Sequence, residues 1–392
     1  MMVAMERVLR IRDEVVGAVR PVGAERLLLS TAAGRWLAGD VRATLGSPRH
    51  TCAAMDGYAV RAADVAGEVT LPVRSALYAG DAPPPAPVSR EAVRIFTGAP
   101  LPPGADSVVR QEGARVAPGA VVLTGPVRLG ENVRPAGEDV AQGGLALSEG
   151  VRLGPRQLAL LAAVGTAEVL VRRRLRVSVL TTGDEIASGR TPDSNGVAVG
   201  ALCQALPADI VRRTVEDRPD RLRAVLAELA AASDALVTIG GVSVGERDLV
   251  PGALAALGAE TRVHGVPMKP GKPFLFALLG ETPVLGLPGS PSACLAAFEA
   301  FARPALLARC GAGRVTRPEV ALRLAEPLEG RPGRARLVWA ELQPGGWARP
   351  VGRDAAQVRG PALADALLLV PADAGALGVG EEVTAWLLAG DA

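Results

Sequence analysis

Only two lysines occur in the chain, three residues apart in Lys269-Pro-Gly-Lys272-Pro273, whereas 41 of the 43 basic residues are arginine. An ammonium is a compact, rotatable charge, while a guanidinium is a planar fork. Lysine kept at two neighbouring positions therefore points to an anion that the fork does not fit. Other scarce residues mark other places. Asn occurs only as Asn132 and Asn195, and one of two tyrosines, Tyr58, stands in Ala54-Met-Asp-Gly-Tyr-Ala59. Lys, Asn, Tyr and Ile share A/T-rich codons, so a GC-rich genome would shed them wherever chemistry permits.

Four further segments carry chemistry: Thr181-Thr-Gly-Asp-Glu185, Val215-Glu-Asp217, Gly240-Gly-Val-Ser-Val-Gly-Glu-Arg-Asp248 and Gly286-Leu-Pro-Gly-Ser-Pro291. Glycine turns expose main-chain N–H groups and let an oxyanion approach closely. Asp184, Glu185, Asp217 and Asp248 are hard oxygen donors suited to Mg²⁺ bridging a phosphate. Together they predict a phosphorylated ligand with a divalent ion. Each segment also has a plainer reading. The first is a strand end with a helix N-cap. Asp217, before Arg218-Pro219, is a capping residue by type, and Asp56-Gly57 is a turn. His50 and His264 have no nucleophile paired with them. No G-x-G-x-x-G fingerprint and no G-x-x-x-x-G-K-[ST] loop is present, which excludes the dinucleotide and P-loop classes.

The elements that must position these residues are legible from hydrophobic period and punctuation. Residues 3–19 predict an amphipathic helix and 24–43 a second helical segment. From 44 to 136, short Val/Thr/Leu runs alternate with Pro and Gly, as in a small β domain, and Pro83-Pro84-Pro85 is an extended loop. Residues 137–173 return to helix, with Pro155 opening a first turn. From 174 to 312 strand and helix alternate, which predicts a doubly wound parallel α/β domain. Its strands are expected at 175–181, 209–215, 235–239, 261–266, 274–279 and 283–287. Residues 313–392 predict a C-terminal β domain. The expected division is a helical linker domain (1–43 and 137–173) carrying an inserted β domain (44–136), then the α/β domain (174–312) and the C-terminal domain. In such a sheet ligands sit outside the carboxyl ends of the strands, which is where the chemistry-bearing segments fall.

At 392 residues, 49% hydrophobic and 21% charged, the chain is globular and long enough for several cores. A net charge of +2 gives no bulk attraction to nucleic acid or membrane. Mean hydropathy is positive. Even so, the longest late uncharged stretch, between Glu281 and Glu299, is broken by prolines and glycines and is too short to span a bilayer. Residues 1–20 carry charge throughout and lack the apolar core of a signal peptide. Four cysteines without a C-x-x-C pair predict reduced thiols and a cytoplasmic location.

In this order and spacing, the segments around Asp56, Asp139, Glu185, Asn195, Gly240, Lys269 and Pro288 resemble the molybdopterin molybdenumtransferase family, of the MoeA and gephyrin E-domain type. The resemblance covers nearly the whole chain. It implies a homodimer of elongated four-domain subunits. The implied reaction inserts molybdate into adenylated molybdopterin, with Mg²⁺-dependent release of AMP. Asp56 and Asp139 would reach the cleft from the partner subunit, with Thr97 and Arg134 beside them. Glu185, Asp217 and Asp248 would serve the α/β side, Glu185 and Asp248 as metal ligands. Lys269 and Lys272 would bind the anionic ligand, and Gly240, Gly241, Ser243, Pro288, Ser290 and Pro291 would cradle it. Other cofactor-synthesis proteins are implied as partners, nucleic acid and membrane are not. Some positions depart from the family. Gly265 stands where a lysine is common, Ala293 replaces a small polar residue, Trp339 an arginine, and Asp354-Ala355 a Gly-Ser pair. His50-Thr-Cys-Ala53 lacks the usual Asp and Ser. These departures predict an intact nucleotide side and a weakened molybdate side, with Arg349 or Arg353 as replacements for the missing charge. Two other functions remain open on sequence alone: a non-catalytic or altered paralogue that binds the pterin nucleotide as a carrier or scaffold, and a nucleotide phosphohydrolase.

Overall fold

The computed structural model describes residues 4–82, 88–243, 245, 248–329, 333–352 and 355–388. Pro83–Pro85, Arg353 and Asp354 lie outside them.

The α/β unit is a six-stranded sheet in the order Ala208–Val215, Leu175–Thr182, Ala235–Ile239, Thr282–Leu287, Leu275–Leu279, Glu260–His264. The first four strands are parallel, and Leu275–Leu279 runs antiparallel to Thr282–Leu287. The sheet is thus mixed, where the sequence predicts a fully parallel one. Only Gly280 and Glu281 separate those two strands, and so short a link can only form a hairpin. Glu260–His264 is antiparallel to Leu275–Leu279 and so shares the direction of the main set. Its carboxyl end therefore reaches the same rim.

Both sheet faces are covered. Helices Pro219–Ala232 and Leu249–Ala256 bury Leu222, Leu226, Leu229 and Leu254 against one face. On the other, the run Pro291–Arg309 packs Phe298, Phe301 and Leu306 against Val177, Val237 and Leu285. Phe301 stacks on Phe274 with centroids 4.4 Å apart. The N-terminal helix Ala4–Gly17 adds Val8 and Val15 to this core, which also holds Trp36 from 24–43.

Residues 24–43 do not form the expected helix. Ala24–Leu28 is a strand paired antiparallel with Glu168–Arg172, followed by a single 3-10 turn, Leu29–Thr31. The stretch Glu168-Val-Leu-Val-Arg172 alternates exposed and buried residues, and a partner strand distant in sequence overrides local helix propensity. Within 137–173 the helix is limited to Pro155–Ala163.

The segment 57–124 forms a second six-stranded sheet with separate cores around Ile95 and Leu123. In the C-terminal unit the strands Ala335–Gln343, Trp347–Pro350, Glu319–Leu324, Glu382–Leu387 and Ala366–Val370 close on themselves, because Ala335–Gln343 also pairs with Ala366–Val370. Met268–Lys269 adds to this ring, with Lys269 opposite Arg336. All four cysteines are buried and unpaired, and burial pushes the thiols of Cys203 and Cys310 up to about 12. Among the described residues, no helix is long and apolar enough to cross a membrane.

Candidate functional site

A cleft of about 660 Å³ opens over the carboxyl rim of the α/β sheet. Glu185, Asp217, Asp248, Gly240, Gly241 and Ser243 line one part of it, and Pro288, Ser290 and Pro291 another. Four loops that are far apart in sequence meet there because parallel strands deliver their carboxyl ends to one edge.

Each loop has a local reason for its shape. Gly183 follows the first strand with φ +139, and a Cβ there would lie 2.8 Å from Glu185 Oε1. Glycine is what lets the Glu185 carboxylate fold back over the turn. Asp184 Oδ1 accepts a 3.0 Å bond from Asp217 N, tying the first two loops together. Gly240 and Gly241 have φ of +84 and +63, and Cβ atoms on them would lie 3.0 and 3.1 Å from Thr182 Oγ1. The N–H of Gly240 donates to Leu287 O at 3.0 Å, so this glycine shapes the turn and does not present its amide to a ligand, as the sequence reading had it. Asp248 Oδ2 accepts from Gly245 N at 2.8 Å and fastens the end of the same loop.

The segment Asp193-Ser-Asn195 is structural in part. Asp193 caps helix Ser194–Gln204 by accepting from Gly196 N at 2.9 Å. Asn195 Nδ2 donates to Gly289 O at 2.7 Å and braces the Pro288–Pro291 loop. Both line the cleft, although the sequence assigned them no role. Thr181 is a second omission. The residue lines the cleft, and its hydroxyl is buried with no hydrogen-bond partner among the described residues. Its signal in the sequence was only a second threonine before Gly183.

The lysines are placed differently from expectation. Lys269 and Lys272 are exposed and do not line the cleft, although Pro273, next to Lys272, does. The strand at Met268–Lys269 carries this segment towards the C-terminal ring. Asp56, Thr97, Arg134 and Asp139 also lie outside the cleft lining and form two small sets of their own. Thr97 donates to Asp56 Oδ1 from N and Oγ1, each at 2.8 Å, which holds the Asp56 carboxyl below its ordinary range. Arg134 donates to Asp139 at 3.0 Å and to Glu138 at 2.8 Å, bonds that raise its own pKa. His264 Nε2 lies 3.0 Å from Val242 O and serves the fold.

Three of the positions that depart from the family, Ala293, Trp339 and Ala355, meet at one place. Trp339 Nε1 donates to Ser292 Oγ at 2.9 Å, and Ser292 N donates to Ala355 O at 3.0 Å. Trp339 and Ala293 are buried there, so the C-terminal unit seats directly on the start of helix Pro291–Ala297. Arg349 pairs with Glu341 and so is not a free replacement charge.

Among the described residues no three His, Cys, Asp or Glu side chains converge as an all-protein metal site. Mg²⁺ needs only one or two carboxylates when substrate phosphates and water complete its shell. Glu185, Asp217 and Asp248 on one cleft are a donor set of that kind.

The fold and cleft define an α/β protein with a polar small-molecule site at its sheet rim, flanked by two β units. The chain belongs to the MoeA family of molybdopterin molybdenumtransferases. Family models match the MoeA N-terminal region (domain I and II) at residues 4–165, a probable molybdopterin binding domain at 178–308 and the MoeA C-terminal region (domain IV) at 321–388. The chain is 34% identical to molybdopterin molybdenumtransferase 2 of Mycobacterium tuberculosis, over 96% of this chain and 97% of the relative. It is 36% identical to a molybdopterin molybdenumtransferase of Nostoc sp., over 80% of this chain and 76% of the other. A crystal structure of a molybdopterin biosynthesis MoeA protein from Pyrococcus horikosii is similar over 100% of both chains, with TM-score 0.79 and 31% identity.

Proposed function

We propose that this chain is a molybdenumtransferase of molybdenum cofactor biosynthesis. Its substrates are adenylated molybdopterin and molybdate, and its products are the metal-loaded pterin and AMP. The observation that carries this reading is the cleft itself: three carboxylates and a double-glycine turn converge at the sheet rim of a chain that matches a transferase over 96% of its length. In this reading Gly241, Ser243 and the Pro288–Pro291 loop receive the phosphate-bearing part of the pterin nucleotide. Glu185 and Asp248 would hold Mg²⁺, which supplies charge neutralisation at the phosphates. Asp217 orients the phosphate side, its loop held by Asp184. Lys269 and Lys272 attract the anionic ligand at the cleft's edge.

The active species in this proposal is a homodimer. Asp56 with Thr97, and Asp139 with Arg134, complete the cleft of the partner subunit, which accounts for two ordered polar sets outside the cleft of their own chain. The division into four domains is part of the same reading, as is a cytoplasmic setting, which four unpaired thiols support. Carrier and phosphohydrolase functions are not favoured, because the relatives matched over most of the chain are named as transferases. Two assays test the proposal: AMP release from adenylated molybdopterin with molybdate and Mg²⁺, and recovery of molybdoenzyme activity in a strain lacking the transferase. Folded protein that does neither overturns it.

A further inference from the structure

A second cavity, of about 720 Å³, lies between residues 33–36, 149–157 and 303–318 and shares no lining residue with the cleft. The two cavities lie at opposite ends of helix Ser194–Gln204. Ser194 and Asn195 line the cleft, and Ala205 and Leu206, just past the helix, line the second cavity.

Its walls are strongly cationic. Arg152, Arg156, Arg303 and Arg314 line it against a single carboxylate, Glu149, which is already engaged by Arg172 at 2.6 Å. Two of the arginines are built into the wall. Arg303 is 8% exposed, and the Arg152 guanidinium lies 5.3 Å from the centre of the Trp36 ring. The other two, Arg156 and Arg314, are exposed, and no hydrogen bond or ion pair engages their side chains among the described residues. Helix Pro155–Ala163 starts on the same wall with Gly154 as its N-cap, so no side chain caps its first amides. The positive end of the helix therefore adds to the arginines. Leu153, Leu206, Leu307 and Trp36 supply an apolar part. Arg156 and Arg314 face one lining carboxylate that is already spent and leave an uncompensated field, and the volume suits a small organic molecule.

We propose that this cavity is a second small-molecule site, for a phosphate-bearing anion. The inference does not depend on the chemistry of the cleft.

The experiment is calorimetric titration of the full chain with pyrophosphate and, separately, with AMP. Wild type is compared with Arg156→Ala/Arg314→Ala and Arg156→Lys/Arg314→Lys double variants. One binding event should weaken about tenfold or more in the alanine pair and be largely kept in the lysine pair, since the charge is what matters. That event should also weaken as salt rises, with any second event in the cleft unchanged. A stronger response to AMP than to pyrophosphate assigns the apolar wall to the ligand's organic part. The reverse assigns the site to the bare oxyanion, still within the proposal. Identical titrations for wild type and the alanine pair overturn the site. So does sedimentation showing that the alanine pair splits a dimer while pyrophosphate binding stays the same, because a second copy would then cover the cavity.

Discussion

Glu185 is shaped by its neighbours before any substrate arrives. The positive-φ glycine before it leaves room for its carboxylate, and Asp184 beside it is spent on the Asp217 amide. If Glu185 positions the metal or a phosphate oxygen, Glu185→Gln should lower turnover by about 10²-fold or more with the fold intact. Single-turnover AMP release measures this, and an unchanged rate removes Glu185 from the chemistry. The lysines make a second test. Lys269→Arg or Lys272→Arg keeps the charge but replaces a compact head with a planar one, and should weaken pterin-nucleotide binding by about tenfold. Equal affinity in equilibrium titration would reduce the two lysines to incidental surface residues.

At the scale of elements, Trp339 is the informative residue. From the sequence, Trp339→Arg should restore a charge to the molybdate side. The structure changes that expectation, because the indole is buried and its N–H holds Ser292 at the start of helix Pro291–Ala297. A guanidinium there would be buried among Leu337 and Leu367 of the same core. Trp339→Arg is therefore expected to destabilise the chain. The milder Trp339→Phe should cost about 1–2 kcal/mol, because it leaves the buried Ser292 hydroxyl without its donor. Urea unfolding measures both, and wild-type stability in Trp339→Phe would show that this contact does not seat the C-terminal unit.

At the scale of the whole molecule, buried charges tie distant segments together. Arg317 pairs with Glu299 at 3.0 Å, both nearly fully buried, and also donates to Leu388 O. Asp234 is buried at the opposite end of the sheet from the cleft, where Arg173 grips it at 2.6 and 2.7 Å and Arg176 at 3.1 Å. Burial alone would raise the Asp234 pKa, but the bonds from Arg173 and Arg176 outweigh it and hold the carboxyl well below its ordinary range. A depressed folded pKa adds stability above the unfolded value near pH 4, and that stability is lost as pH falls below it. The loss should be about 2 kcal/mol, less than for a fully buried pair, because both arginines reach solvent. Asp234→Asn should be less stable at neutral pH and show a flatter acid limb, as read by denaturant midpoints against pH. The proposed assembly has its own test at this scale. Mixing Asp56→Asn subunits with Glu185→Gln subunits should restore about one good site per heterodimer if sites are composite. Heterodimers without recovered activity would place each site within one chain.

The positions of the strands along the α/β unit were legible because hydrophobic runs and Gly/Pro punctuation are local signals. The boundaries of Ala235–Ile239 and Pro219–Ala232 follow from them directly. The motif loops were also legible, since carboxyl ends of parallel strands must share a rim. What escaped depends on partners remote in sequence. The strand at Ala24–Leu28 exists because Glu168–Arg172 lies beside it, and the Lys269 segment leaves the cleft lining because Ala335–Arg336 pairs with it. The role of Gly240 as a turn-former turns on where Leu287 O lies, and the burial of Trp339 on where Ser292 lies. Residue types and spacing thus determined the chemistry this chain can hold. Tertiary pairing decided which of those groups share a cavity, because hydrogen bonds and burial between distant segments are properties of the packed chain and not of any local stretch.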